Sequence, residues 1–214
     1  MNRQTICISH ATGADGGAVG RAVAERMGFR YVDNEVIAEA ADWAELDPAV
    51  VADAERRKPL VERALGGMAV AGPGAEHLPP EAWGWAMMGP SEPGLRALII
   101  EVLQAFADRG SVVIVSHAAS FALADRDVLR VLVTASPETR ARRVAEASGT
   151  AALDAARQVK KEDGARADYL KRFYRIAHEL PTHYDLVVNT DALTADAAAT
   201  IIEAAAASPS EGAR

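Results

Sequence analysis

The sequence predicts an α/β protein built on a five-stranded parallel sheet with helices on both faces. Two observations carry that prediction. Short β-branched runs alternate along the chain with segments whose apolar residues recur at helical spacing, and the central run Val112-Val113-Ile114-Val115 is apolar at every position, as a strand buried on both faces must be. Strands alternating with helices join through right-handed crossovers, which leaves the sheet parallel and covered on each side. Composition agrees: of 214 residues 50% are hydrophobic and only 5% aromatic, which predicts an aliphatic core large enough for one domain over residues 1–206.

The first strand is Thr5 to Ser9, running into the turn-forming stretch His10 to Gly17. Val19, Val23 and Met27 then recur at spacing four, so a helix covers Ala18 to Met27 and Gly28 stops it. Phe29 to Val32 is the second strand. Asp33 or Asn34 can cap a second helix through Ala44, and Asp47-Pro48 starts a third. From Gly66 to Pro93 the chain is rich in Gly, Pro and Ala around Trp83, Trp85, Met87 and Met88; this reads as a long loop or mobile arm, or equally as an ordered excursion pinned by its two Trp side chains. Leu95 to Asp108 is helical and Arg109-Gly110 ends it. After the third strand, Val112 to Val115, come a short helix over Ser116 to Ala124, a fourth strand over Leu129 to Thr134, and a helix opened by Ser136-Pro137-Glu138. Asp185 to Asn189 is the fifth strand, Ala195 to Ala206 the last helix, and residues 207–214 a disordered tail.

Charge and cysteine content narrow the function. Lys and Arg total 23 against 30 Asp and Glu, a net charge of -7, which argues against a general nucleic-acid or anionic-membrane binder, so any anion site must be local. The single Cys7 excludes a disulfide within the chain. No cationic start followed by an apolar run resembles a signal peptide, and nothing approaches the ~20 apolar residues that cross a bilayer; the expected location is the cytoplasm.

Ligands of parallel sheets sit beyond the carboxyl ends of the strands. The loops that should border that crevice are Ser9 to Gly17, Asp33, Ser116-His117 and Thr134 to Ser136. Thr12, Gly13, Ala14, Asp15, Gly16 and Gly17 form a glycine-rich turn between a strand and a helix, where backbone N–H groups and the helix N-terminus can hold a phosphate. The pattern G-x-x-x-x-G-K-[ST] is absent, as is G-x-G-x-x-G, so the glycines can equally serve only a tight turn. Asp15 does not suit an anion unless it faces a metal or solvent.

A basic island follows the fourth strand. Between Glu138 and Arg175 ten basic side chains stand against six acidic, net +4, whereas the remainder of the chain is net -11. This is either a solvated helix laced by pairs such as Glu162 with Arg166, or a helical hairpin that closes on the crevice and brings guanidinium groups to a phosphoryl group. His10 and His117 each end a strand and can approach one another, as phosphate contacts or a general base, or be simple loop residues.

Three blocks resemble the cytidylate kinase-like proteins, a branch of the nucleoside monophosphate kinases within the P-loop kinases. Ile6-Cys7-Ile8-Ser9 with Gly13 to Gly20, followed by Tyr31-Val32-Asp33-Asn34-Glu35-Val36-Ile37, is similar to the family's opening strand, its Gly-Ser-Gly-Gly-Arg-Glu-Ile-Gly-type loop and its Tyr-x-Asp-Arg-Glu-Ile-Ile segment. Gly110 to Ala119 is similar to the strand leading into Gly-Arg-Gly. The closest stretch is Val159 to Tyr174, followed by Tyr184 to Thr190. The resemblance implies a P-loop NTPase-type sheet, a nucleotide-binding loop at Gly13 to Gly17, a helical acceptor subdomain over about 33–93, and a lid over about 138–178 carrying Arg143, Lys161, Asp163 and Arg166. It implies ATP and Mg²⁺ as cofactors and a nucleoside monophosphate or similar small acceptor as partner, with Asp33, Arg63 and His117 on the substrate side; the metal ligands stay unknown, and an oligomer is possible. Arg56, Arg57 and Arg63 are candidate acceptor-phosphate contacts or solvated surface.

The departures from the family pattern are Gly17 in place of Arg, Ser116-His117-Ala118 in place of Gly-Arg-Gly, and His10 in place of Arg. Three basic groups are thereby missing from the expected phosphate site. Two classes of function follow: an active phosphotransferase in which the lid compensates, or a catalytically weak nucleotide-binding regulator with the kinase fold. A kinase for another small acceptor is a third.

Overall fold

A computed structural model of the protein describes residues 3–33, 36, 38–39, 42, 92–116 and 118–208. The expected second and third helices for the most part, Arg56, Arg57 and Arg63, the Trp83–Trp85 segment, His117 and the tail beyond Ser208 lie outside the described residues. The chain forms two compact units, residues 1–36 with 100–214, and residues 37–99. In the second unit the described residues are few, the longest stretch being the opening turns of a helix.

All five expected strands are present: β1 Thr5–His10, β2 Arg30–Val32, β3 Val112–Val115, β4 Leu129–Thr134 and β5 Leu186–Asn189. They pair in parallel in the order β2-β3-β1-β4-β5. Thr5 is level with Val112 on one side of β1, and Ile6 with Leu129 on the other. The central position of β1 places its carboxyl end, and the loop that follows, where the crossovers diverge to either side of the sheet.

The helices are α1 Gly16–Met27, α2 Glu92–Arg109, α3 Ala119–Ala122, α4 Pro137–Ser148, α5 Ala152–Tyr174 and α6 Ala195–Ala207, with a 3₁₀ turn at Pro181–His183. Helix α1 starts at Gly16, two residues before the first residue expected, because Asp15 takes the N-cap position in the left-handed region (φ 59°) and Gly16 and Gly17 enter the helix. Helix α2 likewise begins before Leu95, with Pro93 in the first turn, where a missing N–H costs nothing. The short helix after β3 shrinks to one turn. Helix α4 opens as its sequence demands: the Ser136 hydroxyl accepts the Thr139 N–H and Pro137 occupies the first turn, while Gly149 (φ 68°) ends it.

One face of the sheet, formed by Ile6, Ile8, Val113, Val115, Leu129, Val131, Val133 and Val188, packs with Val19, Val23 and Ala24 of α1 and with Ala198, Ala199, Ile202 and Ala206 of α6. The alanines let α6 lie close to α1, which explains how an alanine-rich chain with few rings still fills a core. The alternate residue Cys7 faces the other way, fully buried, and burial pushes its thiol up to about 12, so it is inert packing. Each aliphatic side chain so buried contributes roughly 1.5–3 kcal/mol. Helices α4 and α5 pack against one another as a hairpin, which follows β4.

Candidate functional site

The loop from Ala11 to Gly17 leaves the carboxyl end of β1 in a fixed shape. The Ala11 N–H continues the sheet ladder to the Val133 carbonyl (3.2 Å), and the Ala14 N–H turns back to the Ala11 carbonyl (3.0 Å). Gly13 has φ +78°, and a Cβ there would lie 2.6 Å from the Arg140 carbonyl oxygen, so only glycine fits. Val19 makes the first i−4 bond of α1, to the Asp15 carbonyl at 3.0 Å, and Asp15 makes no side-chain capping bond. The amides of Gly16, Gly17 and Ala18 are therefore the orphan donors of a helix N-terminus, suited to the oxygens of a phosphate.

Three arginines of the α4–α5 hairpin reach this loop. Arg143 is the most deeply involved: Nη1 donates to the Gly13 carbonyl (3.3 Å) and to the Thr190 hydroxyl (2.9 Å), and Nη2 donates to the Thr190 carbonyl (2.7 Å). Its Nε lies 3.1 Å from a carboxylate oxygen of Asp15. Asp15, which does not suit an anion site by itself, is half-exposed and pairs with the Arg143 guanidinium. The Thr190 hydroxyl is also 3.0 Å from the Ala14 carbonyl, so this buried residue after β5 ties loop and arginine together.

Arg140, buried on the inner face of α4, holds Asp163 with two parallel bonds of 2.8 Å and sits 3.4 Å from the Thr12 carbonyl. The hydrogen bonds that Arg140 donates to Asp163 raise its already high pKa, outweighing burial. Arg166 donates to Glu179 through Nε (2.8 Å) and Nη2 (2.5 Å), and through Nη1 to the His10 carbonyl (3.2 Å). Burial works against the charge of Arg166, but the hydrogen bonds it donates to Glu179 prevail and hold it protonated. Tyr184 donates to the same Glu179. The pairing of Glu162 with Arg166 foreseen for a merely solvated helix is replaced by contacts across the fold: Glu162 accepts from the Thr12 hydroxyl (2.6 Å) and from Gln158 (2.9 Å). Lys161 is exposed on α5. Beside these groups lies a pocket of about 330 Å³, bordered by Ala11, Arg140, Asp163, Arg166, His178 and Glu179, with Leu170 and Ile176 as its apolar wall.

His10 ends β1 with its ring largely buried against Gly16, and burial lowers its pKa below the usual 6.5, so it is neutral at physiological pH. Asp33 follows β2 and accepts a hydrogen bond from the Tyr31 hydroxyl (3.1 Å). Burial and the neighbouring Asp33 push the Tyr31 phenol up to about 12. The structure thus brings Thr12 to Gly17, Arg143, Asp163 and Arg166 into one region, while His117 and Arg63 lie outside the described residues. Sequence reasoning missed Arg140, Thr190 and Glu179 as site residues. Arg140 is one turn after the Ser136 cap and three residues before Arg143, and Thr190 directly follows a strand, so both had a positional signal; Glu179 had none.

The donor set fits a polyphosphate, with three orphan amides and a bracing arginine beside them. Magnesium is a different case. No group of three or more His, Cys, Asp or Glu able to hold a metal occurs among the described residues; Mg²⁺ bound with a nucleotide is commonly carried by phosphate oxygens and water with one or two carboxylates. No helix among the described residues is long and apolar enough to cross a membrane.

Comparison with known proteins agrees with this architecture. A crystal structure of an uncharacterized protein from Eubacterium ventriosum aligns with a TM-score of 0.66 at 16% identity, covering 96% of this chain and 99% of the other. Shikimate kinase from Bacteroides thetaiotaomicron aligns with a TM-score of 0.52 at 14% identity, covering 94% and 97%. These likenesses show the fold alone, a parallel α/β sheet of the kind seen in both structures. No curated protein sequence matches the chain. The sequence pattern of the cytidylate kinase-like family matches residues 5–192, from β1 into the loop after β5, and the chain therefore belongs to the cytidylate kinase-like family.

Proposed function

We propose that the protein transfers the γ-phosphoryl group of Mg²⁺-ATP to a nucleoside monophosphate, CMP foremost. The observation that carries this reading is the meeting of the amide-lined loop after β1 with the arginines of the α4–α5 hairpin: Arg140, Arg143 and Arg166 all bond to loop or strand-end carbonyls at Thr12, Gly13 and His10. Phosphoryl transfer asks little covalent chemistry of a protein. Positioning and charge neutralisation do most of the work.

In this reading the amides of Gly16 to Ala18 hold the donor phosphates and Arg143 keeps the loop in shape. Lys161 and Arg166 of the lid, residues about 138–178, neutralise charge on the transferred group, and Asp163 positions the neighbouring Arg140. Arg166 turns from Glu179 toward phosphate oxygens as the lid closes, and closure excludes water that would otherwise take the phosphoryl group. For the acceptor monophosphate we assign Asp33, Arg63 and His117, the residues the family resemblance implies. Magnesium, when bound with the nucleotide, would neutralise phosphate charge. The cytoplasm is the setting this activity implies.

A second reading is favoured by one observation: Arg140 and Arg166 are each gripped by a carboxylate, Asp163 and Glu179. If those pairs do not open, the protein binds nucleotide as a regulator with little turnover. Steady-state assays with Mg²⁺-ATP and a panel of nucleoside monophosphates decide between them. Transfer to one acceptor, lost by at least ~10²-fold in Arg166→Ala, supports the kinase; nucleotide binding by calorimetry with no transfer supports the regulator. Turnover that survives Arg166→Ala refutes the lid mechanism.

A further inference from the structure

From His10 to Gly20 the chain contains no Lys or Arg, and its one charged residue is Asp15. A loop that binds polyphosphate through amides alone, with a carboxylate in it, lacks a cation. Gly17 shows where one is found. A Cβ built on Gly17 would lie 3.4 Å from Nη2 of Arg21 and 3.6 Å from the Tyr31 hydroxyl, so the Arg21 guanidinium lies in van der Waals contact with the place where a side chain at position 17 would begin. The reason is helical geometry: side chains lean toward the N-terminus, and a residue four positions later covers the surface of the turn before it. Arg21 is that residue.

Its anchoring differs from that of the hairpin arginines. Where Arg140, Arg143 and Arg166 face Asp163, Asp15 and Glu179, Arg21 is held by a ring and a hydroxyl: its guanidinium carbon is 5.1 Å from the centre of the Tyr31 ring, and Nη1 donates to the Tyr31 hydroxyl at 3.3 Å. It is exposed. Such a cation keeps its charge and most of its donors available while its position is fixed. Tyr31 in turn donates to Asp33, which orients the hydroxyl toward that carboxylate and leaves its lone pair for Arg21.

We propose that Arg21 is the cation of this phosphate loop, reaching back over Gly17 to take non-bridging oxygens of the polyphosphate held at the amides of Gly16 to Ala18, with Tyr31 as its positioning residue. This deepens the phosphoryl-transfer reading above and rests on it for the identity of the donor, though not for the binding of phosphate.

The test uses Arg21→Ala, Tyr31→Phe and the double variant Arg21→Ala with Gly17→Arg. Gly17 has no positive φ, a Cβ there meets only ordinary van der Waals contacts, and removing Arg21 leaves the place of its guanidinium open to the new side chain. Affinity for Mg²⁺-ATP and for inorganic pyrophosphate is measured by calorimetry, alongside transfer and thermal stability. Arg21→Ala is expected to weaken both ligands at least tenfold at an unchanged melting temperature, Tyr31→Phe to weaken them a few-fold, and the double variant to recover most of the affinity. Unchanged affinity and turnover in Arg21→Ala overturn the assignment while leaving the kinase reading intact. Weakened binding in a protein whose wild type shows no transfer upholds Arg21 and overturns the kinase reading. A wild type that binds neither ligand overturns both.

Discussion

Arg143 holds the loop after β1 in the shape that presents its amides, and truncating it to alanine measures how much that bracing contributes. The guanidinium donates to three oxygens, at 3.3 Å on Gly13 and at 2.9 and 2.7 Å on Thr190, and pairs with Asp15. Asp15 is half-exposed, so solvent screens the pair and it is worth little. Thr190 is 2% exposed and has no easy replacement by water. Leaving its carbonyl without that donor costs about 1–3 kcal/mol, and with the lost loop contact the total is about 2–4 kcal/mol. For a domain of this size that lowers the melting temperature by roughly 5–15 °C. Arg143→Lys recovers only part, because one ammonium cannot span Gly13, Thr190 and Asp15 at once. Thermal melts of the purified variants read the result directly. A melting temperature for Arg143→Ala within about 2 °C of wild type would refute the bracing role.

Three further outcomes follow from the same contacts. Asp15→Gly removes a carboxylate from the anion site and relieves a left-handed non-glycine residue while losing the screened ion pair, so stability is expected to stay within about 1 kcal/mol and pyrophosphate binding to tighten by a few-fold in calorimetry. Glu179→Gln leaves Arg166 with a neutral partner and Tyr184 with a weaker acceptor; unfolding in urea should show a loss of about 1–3 kcal/mol, and an unchanged midpoint would mean the pair is idle. His10 has its pKa lowered by burial, so between pH 6.5 and the lower native value the unfolded chain binds more protons than the folded one. Stability therefore falls as the pH drops below about 7, and this part of the slope should vanish in His10→Asn when melting temperatures are compared from pH 7.5 to 5.5.

The strands were legible because their signal is local: Val112 to Val115 and Leu129 to Thr134 are runs that bury on a sheet wherever the sheet lies. The cap of α4 was legible for the same reason, since Ser136 bonds the N–H three residues on. The start of α1 was not, because nothing in Gly16-Gly17 announces a helix; tertiary contact of His10 with Gly16 and the left-handed Asp15 decide it. The loop could be picked out from its position between strand and helix, but the partners of its neighbours could not. Arg140 finds Asp163 across 23 residues and Arg166 finds Glu179 across 13, distances at which the chain's path through the α4–α5 hairpin and the turn after it chooses the partner. Glu162, four residues before Arg166, goes instead to Thr12 on the loop, which local helix spacing could not foresee. Arg21 lay hidden for a related reason: its place over Gly17 follows from the tilt of helical side chains and requires knowing that the helix begins at Gly16.

Phosphorus NMR of a single reaction containing the protein, Mg²⁺-ATP and CMP tests the central claim most directly, because it resolves the monophosphate consumed, the nucleoside diphosphates formed, the remaining ATP and inorganic phosphate together. Loss of one CMP and growth of two nucleoside diphosphates per ATP consumed, with little free phosphate, is the predicted result, reflecting transfer in a site from which the lid excludes water. ADP accompanied by free phosphate alone, or an unchanged spectrum from protein that binds both nucleotides, would contradict it.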